Sequence, residues 1–171
     1  SHITLTDACF NVPVDYAKKV LKAITGAGLN VSIHTSPVPV KGHYDDEFFE
    51  LYRKAGGVLL SLGAETLSEK MLKSYNKPFD IEDVRAAAGL FNTEELPFRL
   101  EGLFGCPGGK AETLKETKEL LPRLHCSDFV YGIGVRLMPG TGLFEVAKKE
   151  GVVKDARELF TPKFYVSKDL D

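Results

Sequence analysis

The chain has no tryptophan, only two methionines and only three cysteines in 171 residues. Cys9, Cys106 and Cys126 are widely scattered and none belongs to a CxxC or CxxxCxxC array. They offer neither a disulfide framework nor a thiolate set for a metal, and an odd count fits a reducing compartment, so a cytoplasmic location is expected. Each reads as a small buried hydrophobe. No sign of charge dominates: 22 basic groups face 24 acidic ones and no basic run occurs. That balance argues against a dedicated nucleic-acid or membrane-surface binder. No apolar stretch approaches the roughly 20 residues that span a bilayer. No signal peptide opens the chain, and Ser1-His2 resembles a cloning remnant, so the termini are expected to be human choices. Ser/His/Asp order, HExxH and Walker sequences are all missing. No catalytic residue and no metal ligand are therefore assigned.

What is present is an ordinary globular balance, 43% hydrophobic and 27% charged, long enough for one domain with a core. Strand-length apolar runs alternate with helical patterns. Strands are predicted at Ile3–Asp7, Val31–Thr35, Val58–Leu62, Phe98–Phe104 and Phe129–Leu137. Helices are predicted from Asp15 through Ile24, from Asp45 to Tyr52, over Leu67–Asn76, over Ile81–Phe91 behind an Asp80 cap, over Ala111–Leu121 and over Phe144–Glu150. From Thr161 onward no pattern is legible. Five strands each followed by helix imply right-handed crossovers and a parallel sheet, either doubly wound or part of a (β/α) barrel. Polar residues recur at strand positions or exits, namely Asp7, His34, Ser61, Glu65, Arg99, Glu101 and Arg136. Buried strands of an open sheet read as continuous Val/Ile/Leu, whereas barrels bring polar groups to one mouth, so the barrel is favoured.

Gly102 to Gly109 closes the fourth strand before a helix, where glycines admit close backbone approach and free amides suit polar groups. A tight turn with no ligand explains it equally well. Glu65 could accept hydrogen bonds from an amine or from sugar hydroxyls; it could also simply complement a helix N-terminus capped by Thr66 or Ser68. Lys77 reads first as a cation complementing a helix end. His34 reads as a hydrogen-bonded core residue before a ligand, and His43 and His125 as solvated loop residues. Met138 to Thr141 is a turn.

Taken together, four segments resemble the radical S-adenosylmethionine (radical SAM) superfamily, in its cobalamin-associated and coproporphyrinogen-oxidase-like branches. Ile3 to Asn11 resembles the second strand of those barrels and its exit; Ser61 to Thr66, with Leu72 and Lys77, the fourth strand. Gly102 to Gly109 resembles the fifth-strand "G-x-x-G-x-P-G" segment, and Met138 to Leu143, with Ala147 and Gly151, the sixth. The resemblance implies a partial parallel (β/α) barrel over residues 3–153, about five βα units of a (β/α)6 radical SAM barrel, with an irregular extension at 154–171.

The resemblance further implies that SAM lies against this wall. Asp7 would approach its amino group, His34 stands where coproporphyrinogen-oxidase-like members have Glu, and Glu65 would touch its polar parts. Lys77 would pair with its carboxylate, Glu101 would meet the ribose, Gly105 and Gly108 would line the adenine side, and Arg136 completes the candidate set. Gly109-Lys110 departs from the family's Glu or Gln at that place, with Glu112 two residues on. The family's first strand carries a CxxxCxxC loop holding a [4Fe–4S] cluster, which this chain lacks; the parent protein would hold the cluster, and cobalamin is a further expectation for it. The chain alone is expected to be inactive, to work on a small-molecule substrate only within its parent, and to self-associate through the exposed edge of its first strand. Two rivals remain open: an aldolase- or isomerase-type barrel, and a non-catalytic degenerate barrel that binds a ligand.

Overall fold

A computed structural model describes residues 1–7 and 9–170. Ala8, inside the first motif, and Asp171, at the end of the expected extension, lie outside the described residues. Strands β1 (His2–Leu5), β2 (Ser32–Thr35), β3 (Gly57–Glu65), β4 (Phe98–Phe104) and β5 (Asp128–Ile133) form one parallel sheet in the order β1-β2-β3-β4-β5. Between them run α1 (Val14–Gly26), α2 (Asp46–Lys54), α3 (Glu69–Ser74), α4 (Ile81–Thr93) and α5 (Ala111–Leu120).

The strand order decides between the two arrangements left open. A doubly wound sheet reverses its order at a switch point and carries helices on both faces. Strands that pair in strict sequence through right-handed crossovers put every helix on one side and curl the sheet into a barrel wall. Burial agrees. Ile33, Leu60, Leu62, Phe98 and Leu100 point to one side and join Ala17, Leu21, Phe48, Tyr52, Val84 and Phe91 of the helices in a single core. Its centre is aromatic: Phe91 packs edge-on against Tyr44, Phe49 and Phe98.

Helix starts follow their capping chemistry. Asp45 accepts from the Phe48 amide, and Asp80 and Asp83 form a reciprocal capping box at α4. Elsewhere the structure departs from expectation. Asp15 lies in the first turn of α1 without capping it, since the helix begins behind Pro13. Ser68 stands at the N-cap of α3 but its hydroxyl is buried without a partner. The fifth strand does not run through to Leu137. Gly134, at φ 93°, breaks it, and a Cβ there would lie 3.2 Å from Val166 and 3.3 Å from Phe164. The chain turns instead into β6 (Val135–Arg136), antiparallel to β7 (Phe164–Tyr165). With α6 (Gly142–Lys149), which lies between them in sequence, these two strands build a second, smaller core of Leu137, Phe144, Ala147, Val153 and Tyr165. A two-residue strand is too short to leave a periodic signal, which is why the C-terminal stretch looked patternless.

Cys9 is exposed, and Cys106 and Cys126 are half-buried, so none is the fully buried hydrophobe expected. His43 is not solvated either: it is half-buried, and its Nδ1 is shielded without a partner.

Candidate functional site

A cavity of about 570 Å³ opens at the C-terminal ends of β3 and β4, within the size range of small-molecule sites. Glu65, Tyr75, Lys77, Leu103, Cys106 and Pro107 line it, and Gly142, Leu143 and Val146 of α6 close one side. Glu65 reaches this wall through an irregularity. The register between β3 and β4 slips from Gly63–Glu101 to Glu65–Gly102, and Glu65 adopts φ 65°. A non-glycine residue in the left-handed region is strained, and a bulge that re-aims a side chain is a common device beside functional sites. Lys77, just beyond α3, donates to Glu65 Oε1 at 3.0 Å, and the two side chains are 24% and 29% exposed.

Tyr75 fixes the cavity's floor by donating to the Leu103 carbonyl at 2.8 Å. Burial pushes its phenol well above the usual value. Burial likewise raises the Cys106 thiol, with the nearby Glu65 charge adding to the shift and the Tyr75 hydroxyl opposing it. Cys106 is therefore a protonated, weakly polar wall and not a nucleophile at neutral pH. Neither Tyr75 nor Cys106 was singled out for this site from the sequence. Tyr75 sits between Leu72 and Lys77 in a helical pattern, and only the Leu-to-Lys spacing around it pointed here.

The remaining candidates do not gather in one place. His34, Ser61, Arg99 and Glu101 occupy the sheet face opposite the helices, where His34 Nε2 and Ser61 Oγ lie 2.7 Å apart. The His34 imidazole is held below its ordinary pKa, first by burial and then by the Arg99 charge, against a smaller opposite pull from Glu101. Asp7 follows β1 and accepts from the Cys9 amide at 3.0 Å, exposed to solvent. Gly105 and Gly108 differ from each other. Gly105, at φ 102°, is buried and lies so close to its own chain that a Cβ would be 3.1 Å from the Gly134 nitrogen. Gly108, at φ 84°, has open space before it. Arg136 is exposed on β6, outside the main sheet. A separate groove of about 530 Å³ lies between helices, lined by Asp80, Arg85, Glu116 and Arg123, away from the strand tips.

Among the described residues no group of three or more His, Cys, Asp or Glu side chains is placed to hold a metal ion. The residues present therefore do not fit an iron–sulfur cluster. They do fit an amino-acid zwitterion, because a fixed Glu–Lys pair offers an acceptor to an ammonium and a donor to a carboxylate side by side. Among the described residues no helix is long and apolar enough to cross a membrane.

Strands in sequential order, helices on one face and a cavity at the strand tips define a partial parallel (β/α) barrel, the fold that radical SAM enzymes share. The fold is similar to that of the radical SAM methyltransferase TsrM from Kitasatospora setae, solved with cobalamin and a [4Fe–4S] cluster bound, at a TM-score of 0.74 and 23% identity over 86% of this chain and 28% of that one. It is also similar to Elp3 from the archaeon Methanocaldococcus infernus, at 0.68 and 17% over 87% and 40%, and to coproporphyrinogen III oxidase from Escherichia coli, a radical SAM enzyme, at 0.53 and 17% over 67% and 27%. Among curated proteins, tryptophan 2-C-methyltransferase from Streptomyces laurentii is 25% identical over 81% of this chain. The chain spans about a quarter of that relative's length. No protein-family model matches.

Proposed function

We propose that this chain is the SAM-binding wall of a radical SAM enzyme, in the cobalamin-associated or coproporphyrinogen-oxidase-like branch. The observation that carries the reading is the Glu65–Lys77 pair, held at 3.0 Å in a cavity at the strand tips. Its charges complement the aminoacyl end of SAM: Lys77 binds the carboxylate and Glu65 the ammonium, with Asp7 a second acceptor near the same end. Glu101 accepts from the ribose hydroxyls, Gly108 leaves room for the adenine, and His34 and Arg136 flank the bound molecule. Gly105 supports the adenine side by shaping the turn. A [4Fe–4S] cluster in the parent enzyme would supply the electron for cleaving SAM, and no residue described in this chain is assigned to hold it. Cobalamin in the parent is a further part of the proposal, prompted by the TsrM likeness.

The barrel wall is assigned to residues 3–153 and an extension to 154–171. The parent's substrate is a small molecule, and the reaction is of the methyl-transfer or oxidoreductase type. Scattered cysteines support a cytoplasmic setting. An exposed β1 edge, with Ile3 37% exposed, supports self-association of the isolated chain; a strictly monomeric mass by light scattering at high concentration would count against it.

Calorimetry of the chain with SAM tests the central claim. Weak binding is expected, because the iron anchor is not part of this chain, and Glu65→Gln combined with Lys77→Ala should abolish it. Binding that survives both substitutions overturns the site. Under reducing conditions the chain alone should release no 5′-deoxyadenosine, and detecting it would show that residues of this chain do hold the cluster.

A further inference from the structure

We infer that β5 is an interaction surface for a second copy of this chain, the two strands pairing antiparallel about a two-fold axis at Tyr131. Pairing of this outer edge does not depend on whether the strand-tip cavity binds SAM.

The first four strands of the sheet are each followed by a helix of the covering layer, whereas β5 is followed by the break at Gly134. Leu100 is sealed in the helix-side core and stands in register with Phe129, so Phe129, Tyr131 and Ile133 all belong to that side. Phe104, Phe129 and Tyr131 form one aromatic cluster with ring centroids 5.5 to 6.3 Å apart. No helix roofs the outer part of that cluster: Tyr131 is 58% exposed and Ile133 67%. Val130 on the opposite face is exposed too, as are Phe164 and Val166, which crowd Gly134 at the strand's end. Together these side chains present apolar surface on the order of 500 Å², or about 1,000 Å² for a symmetric pair, the level at which specific interfaces begin.

The free edge of β5 is complementary to itself. The Gly134 N–H reaches the Phe104 carbonyl of β4 at 2.8 Å. By alternation the amides of Val130 and Gly132 also face β4, and Phe129, Tyr131 and Ile133 turn theirs to the open edge. Asp128 Oδ1 already takes the Phe129 N–H at 2.8 Å. An axis at Tyr131 sets that residue opposite its own copy, where the two exchange both N–H···O bonds. It also sets Phe129 opposite Ile133, whose N–H meets the Phe129 carbonyl, and all opposed side chains share the helix-side face. Shifting the axis to Val130 opposes Phe129 to Tyr131 and needs the occupied Phe129 amide in both pairs. The strand also lacks the devices that keep an edge solitary: it has no Lys, no Pro and one charge, Asp128, at its start. An unrelated strand would match the backbone alone, whereas a second copy matches backbone and apolar row at once.

The test uses the chain carrying Thr4→Lys, which blocks pairing through β1 and so separates failure of that edge from failure of this one. Its mass by sedimentation velocity should rise from one copy to two between about 5 and about 500 μM. Adding Ile133→Lys places a charge in the apolar row, and adding Tyr131→Pro removes the central donor without touching a bond to β4. Either should weaken the pairing by about tenfold or more. Both positions are exposed, so the far-UV circular dichroism should stay that of the parent. Tyr131→Cys in a chain with Cys9→Ser should cross-link to its own copy on mild oxidation, because a reciprocal antiparallel pair holds its Cα atoms about 5.5 Å apart. A mass that stays at one copy, growth past two, unchanged association in a folded β5 variant, or no cross-link overturns the inference. If Tyr131→Pro loses its spectrum, Ile133→Lys and the cross-link decide.

Discussion

The two faces of the main sheet are built from alternate residues of the same strands, yet they have opposite character. On the helix side Ile33, Leu60, Leu62, Phe98 and Leu100 are sealed into one core. On the other side His34, Ser61, Arg99 and Glu101 stand in the same strands with one short polar contact and an unused donor between them. Strand periodicity forces this separation, because successive side chains point to opposite faces. The covered face gains stability from burial; the open face keeps polar groups that stability alone would not select. Substitutions on the two faces should therefore fail in different ways.

The largest expected effect is on the covered face. Phe91→Ala removes a fully buried ring that touches Tyr44, Phe49 and Phe98, and should destabilise the fold by about 3–5 kcal/mol, read as a lower urea midpoint with unchanged slope. Next come the strand tips. Glu65→Gln and Lys77→Ala should each weaken SAM by about tenfold, or roughly 1.4 kcal/mol. They should leave the unfolding midpoint nearly untouched, because the pair is partly exposed. A large loss of stability in either would mean that the pair belongs to the scaffold and would blur the contrast between faces.

Much of the covered face was legible beforehand. The spacing of Val20, Leu21 and Ile24, the Asp45 and Asp80 starts and the run Phe98–Phe104 carry local signals that tertiary packing did not overrule, whereas Tyr16, read into the same helical pattern, is exposed and Ala17 is buried in its stead. The end of β5 was not legible, because the break at Gly134 depends on its positive φ and on the close approach of Val166 and Phe164, which are distant in sequence. Arg136 was consequently read as a strand residue of the main sheet and sits on a separate two-stranded sheet. At the mouth, Glu65 and Lys77 could be named from motif spacing, but their contact depends on a bulge and a left-handed residue that no pattern announces. Tyr75 and Cys106 escaped because one resembles a helix-face aromatic and the other a core thiol. Arg99 showed only as a polar residue in a strand; its missing partner is a property of three dimensions.

A smaller effect separates the faces by pH. His34, on the open face, is held below its ordinary pKa by burial and by Arg99, so the folded chain binds its proton less readily than the unfolded chain does. For a histidine shifted downward, stability is fully present above the unfolded value of about 6.5 and declines as pH falls below it. The unfolding midpoint of the parent should thus drop between about pH 7.5 and about pH 5.5, and His34→Gln should flatten that part of the profile. An equal drop in the variant would assign the titration to another group.

The smallest expected effect lies outside both faces, where α1 meets α2. Lys18 Nζ contacts Asp45 at 2.6 Å and Glu47 at 2.8 Å, and Lys22 reaches Glu47 at 2.8 Å. Hydrogen bonds from Lys18 lower the Asp45 carboxyl and, with Lys22, take Glu47 down to about 2. Carboxylates shifted downward contribute stability that is present above their ordinary values near 4 and is lost as pH falls toward the folded values. Acid unfolding between about pH 5 and about pH 2.5 should therefore be shallower in Lys18→Met than in the parent. Glu47 is solvent-exposed, so added salt should shrink the difference between the two proteins. The cluster acts only on the helix layer, so Lys18→Met should leave SAM binding unchanged; a change would show that the helix layer sets the geometry of the open face.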